Sequence, residues 1–453
     1  MKRIVTVFSC VCMVLALCSC SVVRRARDFS LAGIFADNMV LQREVSVPVF
    51  GTGENGITVT VSFNGQEKST VIENGEWRVD LDAEPACKEG KTLSVSSSGG
   101  ETVSLSNVLV GDVWLCSGQS NMYWKIIYCS ETEQKRLYEN IENEFIRSCY
   151  IEPVLSDTPQ DTIANQTWVE SSRETMAVYS AYATAFAQFL QEGLDIPIGI
   201  VTAAEGSTSI ERWVSGGENY NAMIYPLQPF AFKGVLWYQG ENNVLKDPDY
   251  KVNYPESFRQ LCREWRAGFE NEDMPVIQTQ IAGYGMPGDT TWSDWAYMMV
   301  LQPTYTSEAE NTYTVVNYDL GDMSNIHPNL KKAVGKRAAF LALEKIYGVE
   351  GYYGTAAYAE NFEFTEDGLL ITFGGVNERL ETTTSTARGF ELCGTDGVYV
   401  TAKASMILPD KILVEVPDTI DVVKGVRFNY GNIPSKTVFS GVIPAMSFIH
   451  EFE

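Results

Sequence analysis

The chain has 453 residues, 45 % hydrophobic and 20 % charged, a composition that fits a soluble globular protein too long for one ordinary core. Its formal net charge of -24 makes a surface that repels phosphate backbones, which excludes nucleic acid as a partner. The same charge gives no general help with anionic substrates, so an acidic one needs a local basic group.

The N-terminus reads as an export signal. Lys2 and Arg3 precede an apolar run from Ile4 to Leu17, which is too short to span a bilayer comfortably. Leu17-Cys18-Ser19-Cys20 resembles a bacterial lipobox with Cys20 as the lipidated residue. The expectation is an exported protein, periplasmic or anchored at the outer membrane, with residues 1–20 as its leader. The alternative is an ordinary cleaved signal with incidental cysteines. No other stretch reads as transmembrane, so any membrane contact runs through that anchor. The remaining cysteines, Cys87, Cys116, Cys129, Cys149, Cys262 and Cys393, form neither a zinc pattern nor a disulfide framework. Cys129 with Cys149 is the one pair whose spacing invites a test for a bridge.

From about Leu31 to Leu105 hydrophobic residues alternate with polar ones. Ile57, Val59, Val61 and Phe63 lead into an Asn64-Gly65 turn, and Trp77, Val79 and Leu81 repeat the pattern. These short strands predict an N-terminal β-sandwich over 28–106. From Asn107 continuous apolar runs, as in buried parallel strands, alternate with helical patterns. The runs are Val113 to Cys116, Ile198 to Thr202, Val235 to Tyr238, Val276 to Ile281 and Tyr313 to Tyr318. A helix capped by Ser180 and ended by Gly193 follows the first run, and another spans about Leu330 to Tyr347. The alternation predicts a doubly wound α/β domain over 107–350, a parallel sheet flanked by helices. Period-two patterns return over 351–453 and predict a further β-rich region, either a separate sandwich or one packed beside the first.

Ligands of an open parallel sheet bind beyond the carboxyl ends of its strands. Four segments stand there: Ser117-Gly118-Gln119-Ser120-Asn121-Met122, Glu205-Gly206-Ser207-Thr208, Gln239-Gly240-Glu241-Asn242-Asn243, and Asp319-Leu320-Gly321-Asp322 leading to His327. Together they supply an acyl-transfer site. A serine needs a base to become nucleophilic, and histidine suits that task near neutral pH. The chain has two histidines, and His450 lies three residues from the C-terminus, so the base is His327. The Ser120 and Gly206 amides and the Asn243 side chain can supply the oxyanion hole. Taken singly, Ser120 reads equally as a helix cap, Gly206 as a hinge and Asn243 as a turn residue.

The run Asn107 to Met122 resembles the first block of the sialate O-acetylesterases, members of the SGNH hydrolase superfamily, a likeness that implies a flavodoxin-type parallel sheet flanked by helices. Leu236 to Asn243 resembles their third block, and Asp319 to Asp322 with Ile326-His327-Pro328 their last. Phe35, Met39 to Gln42 and Gly441 to Ala445 extend the likeness over nearly the whole mature chain. The resemblance implies a serine esterase that removes O-acetyl groups from a sugar without metal or cofactor. Ser120 is then the nucleophile, His327 the base, and Gly206 and Asn243 line the oxyanion hole. The chain departs from the family at Ser207, where a second glycine is usual, and at Met299, where relatives carry an arginine. It departs again at Asn325 and Ser324, where relatives place the acid that orients the histidine. Asp322 is the candidate substitute, with a Ser–His dyad as the alternative. Gln119, Arg212, Trp213, Gln239 and Glu241 are candidate substrate contacts, and Trp124, Trp237 and Tyr238 candidate stacking surfaces. O-acetylated sialic acid is the implied substrate. Acetylated xylan or another glycan is the rival, and a glycan-binding module with a decayed site the reading from another class.

Overall fold

The computed structural model describes residues 28–285 and 293–453. The export and lipidation readings, Cys20 included, lie outside the described residues.

Seven strands form the central sheet: β1 (Thr102–Gly118), β2 (Asn143–Tyr150), β3 (Trp168–Ser171), β4 (Ile198–Ala204), β5 (Gly234–Tyr238), β6 (Val276–Thr279) and β7 (Thr312–Val315). Their spatial order is β3-β2-β4-β1-β5-β6-β7. All neighbours are parallel except the edge strand β3. β4 and β5 are buried at every residue, which explains their unbroken apolar runs. The β2–β3 extension escapes the sequence pattern, because Arg147 and Ser148 are buried in β2 and interrupt any apolar run.

β1 is 17 residues long, and its first half belongs to a different layer. There it pairs antiparallel with Cys87–Ser97, which continues to Thr58–Phe63 and Gln66–Val71. A second small sheet joins Ser30–Leu31, Val47–Thr52 and Glu76–Leu81. Val49, Val59, Val61, Val79 and Val95 from the two sheets share one core. The expected boundary at 106/107 therefore falls inside a continuous strand, and the N-terminal layer is hydrogen-bonded into the central sheet.

Two long helices pack together on one face of the sheet, Ala181–Leu194 and Lys331–Lys345. Ser180 caps the first, its Oγ accepting from Ala183 N at 3.1 Å, as the sequence predicts. Gly193 does not end that helix. The turn comes at Asp195, in the left-handed region at φ 53°, because Gly193 is used to let Leu343 approach. The C-terminal β-rich region builds three sheets around its own core of Leu369, Ile371, Phe390, Val426 and Phe428. It docks on the α/β layer through Tyr318, whose hydroxyl donates to Ala445 O and accepts from Asn429 Nδ2. All six described cysteines are free, so Cys129 and Cys149 form no bridge.

Candidate active site

β1 ends at Gly118, in register with Ala204 of β4 and Tyr238 of β5. Gly118 has φ +133°, and a Cβ there would lie 2.1 Å from Tyr238 O, so the position accepts only glycine. The chain turns at once. Ser120 is the first residue of the one-turn helix Ser120–Tyr123, where its backbone N–H has no acceptor within the helix. The loop after β4 lies against it: a Cβ on Gly206 would sit 3.6 Å from Ser120 Cβ.

The loop after β7 brings His327 to the same point. Nε2 of His327 lies 2.8 Å from Ser120 Oγ, across 207 residues of sequence. With the proton on Nδ1, Nε2 accepts from the hydroxyl, the geometry that activates a serine. The imidazole stacks on Trp124 with centroids 4.1 Å apart and planes at 16°. Burial and the nearby Lys331 cation push its pKa down to about 4. His327 is therefore neutral, and competent as a base, from mildly acidic pH upward.

Asp322 does not orient that ring. Its Oδ1 accepts from Ser324 N at 2.8 Å, Ser324 Oγ at 3.0 Å and Asn325 N at 3.1 Å. A short carboxylate at the head of a turn is taken up by the turn's own amides, which also hold it below its usual pKa. Asn325 Oδ1 instead accepts from His327 N at 2.9 Å. Among the described residues no hydrogen bond or ion pair joins a carboxylate to His327.

Most of the candidate substrate contacts are turned inward. Gln239 Nε2 donates to Gln119 Oε1, Thr208 O and Asn243 Oδ1, and Gln119 Oε1 also accepts from Asn242 N. Gln119, Gln239, Glu241 and Trp213 are all buried. The reason is physical: loops that converge over a sheet rim bury polar backbone, and their amide side chains satisfy it and one another. Arg212 pairs with Glu205 at 3.2 Å and with Glu218 at 3.4 Å. Trp237 stands edge-on to both Trp213 and Trp265, a core role. Tyr238 is buried too, its hydroxyl accepting from Asn317 Nδ2. Met299, at the expected arginine position, is buried. Asn243 is held as well: Oδ1 accepts from Ile210 N at 3.0 Å, and Nδ2 donates to both oxygens of Glu211 at 3.1 Å. Ser207 adopts φ +60°, the conformation its glycine counterpart would take without cost.

Two residues of the site escape sequence reasoning. Asn121 Nδ2 donates to Ile326 O at 3.0 Å and to Glu241 Oε1 at 2.6 Å, while its Oδ1 accepts from Lys331 Nζ at 2.5 Å. Asn121 lay within the first motif but carried no chemistry of its own. Lys331 opens a helix, where a lysine reads as a solvated charge, yet it is buried.

With this geometry in hand, the comparisons carry weight. The family described as "carbohydrate esterase, sialic acid-specific acetylesterase" matches residues 110–342. The chain belongs to that family. This esterase is 28 % identical to the human sialate O-acetylesterase over 407 residues, 76 % of each chain. It is 25 % identical to the mouse sialate O-acetylesterase over 516 residues, covering 93 % of this chain and 94 % of that one. Among solved structures, a carbohydrate acetylesterase from Xanthomonas citri matches with a TM-score of 0.85 at 29 % identity, over 94 % of this chain and all of that one. The esterase is thus a carbohydrate esterase, a hydrolase whose family acts on O-acetylated carbohydrates.

Proposed function

We propose that the esterase removes O-acetyl groups from O-acetylated sialic acid through an acetyl-enzyme on Ser120. Ser120 Oγ attacks the acetyl carbonyl as His327 Nε2 takes its proton. His327 then passes that proton to the sugar oxygen as the ester C–O bond breaks, and water deprotonated by the same base attacks the acetyl-enzyme, releasing acetate and restoring Ser120. The observation that carries this reading is the 2.8 Å contact between Ser120 Oγ and His327 Nε2. The Ser120 and Gly206 amides border the nucleophile and are the oxyanion donors of this reading, whereas Asn243, whose Nδ2 donates to both oxygens of Glu211, joins them only by giving up one of those bonds when substrate binds. We read β4-β1-β5-β6-β7 as the flavodoxin-type order 2-1-3-4-5, which sets the site at the switch point between β1 and its two neighbours. The three-part division of the chain, the export signal and lipid attachment at Cys20 belong to the same proposal, for a periplasmic or outer-membrane-anchored bacterial protein.

The sialate relatives favour that sugar, and the Xanthomonas citri structure, described only as a carbohydrate acetylesterase, is equally in keeping with the second reading, acetylated xylan or another glycan. Acetate release from O-acetylated sialic acid, acetylated xylan and p-nitrophenyl acetate tests this. Wild type is expected to prefer the sialic acid ester, and Ser120→Ala to lose ~10³-fold or more in kcat on every substrate. A faster rate on xylan moves the substrate to the rival. Wild type and Ser120→Ala both indistinguishable from buffer leave only a binding module.

A further inference from the structure

We propose that Asn121, clamped between Lys331 and Glu241, is the positioning residue that holds His327 over Ser120 in place of an orienting acid. The proposal rests on the Ser120–His327 reading and adds to it the device that keeps the pair together.

Asn121 follows the nucleophile directly, and its Nδ2 bonds the carbonyl of Ile326, the residue before the base. One side chain thus ties the loop after β1 to the loop after β7 within a residue of each reacting group. Its amide must be the right way round, since a reversed amide would set Oδ1 against Ile326 O. Both neighbours fix that choice. The Lys331 ammonium can only donate, so it selects Oδ1, and the Glu241 carboxylate accepts from Nδ2.

The clamp is costly to build. Asn121, Glu241 and Lys331 are each about 1 % exposed. No ion pair among the described residues includes Lys331 or Glu241, and Glu241 Oε2 is buried with no hydrogen bond. Two buried charges separated by an amide gain little from each other, and apolar residues would fill the space at lower cost. Burial pushes the Glu241 carboxyl up and the Lys331 ammonium down to about 8. Cys129 and Glu133 also face Lys331, and its Nζ lies 5.5 Å from the centre of the Tyr238 ring. His327 in turn meets Ser120, the Trp124 ring and the Lys331 charge. An orienting carboxylate would raise the imidazole pKa, whereas the Lys331 charge opposes the imidazolium.

The test measures kcat and KM for p-nitrophenyl acetate across about pH 4 to 9, with folding checked by thermal melts. Asn121→Ala is expected to lower kcat by ~30- to 100-fold with KM within ~3-fold, the signature of a displaced base with binding intact. Lys331→Met is expected to move the acid limb of kcat/KM upward, toward the ordinary imidazole value. Folded variants with wild-type kcat and an unmoved acid limb would overturn the clamp. If either variant fails to fold, proton NMR of the wild-type protein decides, because only two histidines need assignment. His327 titrating well below the ordinary imidazole value is the result expected of a ring buried beside Lys331 with no carboxylate on it, and titration above that value, the mark of an orienting carboxylate, overturns the clamp. A Ser120→Ala protein as active as wild type defeats the Ser–His reading itself. An inactive Ser120→Ala beside a fully active Asn121→Ala defeats only the clamp.

Discussion

Ser207 shows how one residue can keep a loop's shape after losing the side chain best suited to it. Its φ of +60° costs a non-glycine residue about 1 kcal/mol, yet Gly206 still packs against Ser120. Ser207→Gly relieves that strain and adds about 0.5–1 kcal/mol of unfolded-chain entropy, so the two effects nearly cancel. The expected outcome is a melting midpoint unchanged or slightly raised. A loss above ~1 kcal/mol would show that the Ser207 hydroxyl makes a bond the loop needs. His327 teaches a second lesson at this scale. With no carboxylate on its ring among the described residues, its basicity is set by burial and by a cation, and stacking on Trp124 limits its rotation. A pH–rate profile that stays flat down to about pH 5 is the corresponding expectation.

At the scale of elements, the site depends on the abrupt end of β1. Gly118 closes a strand hydrogen-bonded on both sides, and the next residues must turn within one step to lift Ser120 above the rim. Gly118→Ala drives a methyl group into Tyr238 O and imposes a left-handed φ on an alanine. We expect a cost of at least ~2 kcal/mol in urea unfolding, with acetate release falling further than stability at permissive temperature. Wild-type stability for Gly118→Ala would mean that the β1–β5 register is looser than the hydrogen bonds indicate.

For the whole molecule, the loop that carries His327 is held from below and from the C-terminal side. Arg337 forks onto Asp319 with bonds of 2.6 and 2.7 Å, and its Nη1 also donates to Val316 O. Tyr318, next in line, reaches Ala445 and Asn429 of the C-terminal β-rich region. Asp319→Ala leaves a buried guanidinium unpaired, a loss of about 3–5 kcal/mol. Chemical denaturation should show it, with activity lost at a lower temperature than in wild type. An unchanged midpoint would mean that solvent reaches Arg337 and replaces the carboxylate.

The sequence by itself determined most of the elements and the proposed reacting pair. Buried parallel strands read as unbroken apolar runs, Ser180 announced its helix, and scarcity left His327 as the one usable imidazole. Both are local or compositional signals, and they survive folding because burial and capping act on neighbouring residues. Tertiary structure alone decided which polar residues of the motif loops face each other. Gln119, Gln239 and Glu241 looked like contacts because they sit in motif loops, but converging loops leave their amides and carboxylates little water to meet. The same convergence spent Asp322 on its own turn and drew Lys331 inward to Asn121, 210 residues away in sequence. No spacing rule encodes such a pairing, because a hydrogen bond needs a few ångströms in space and is indifferent to distance along the chain.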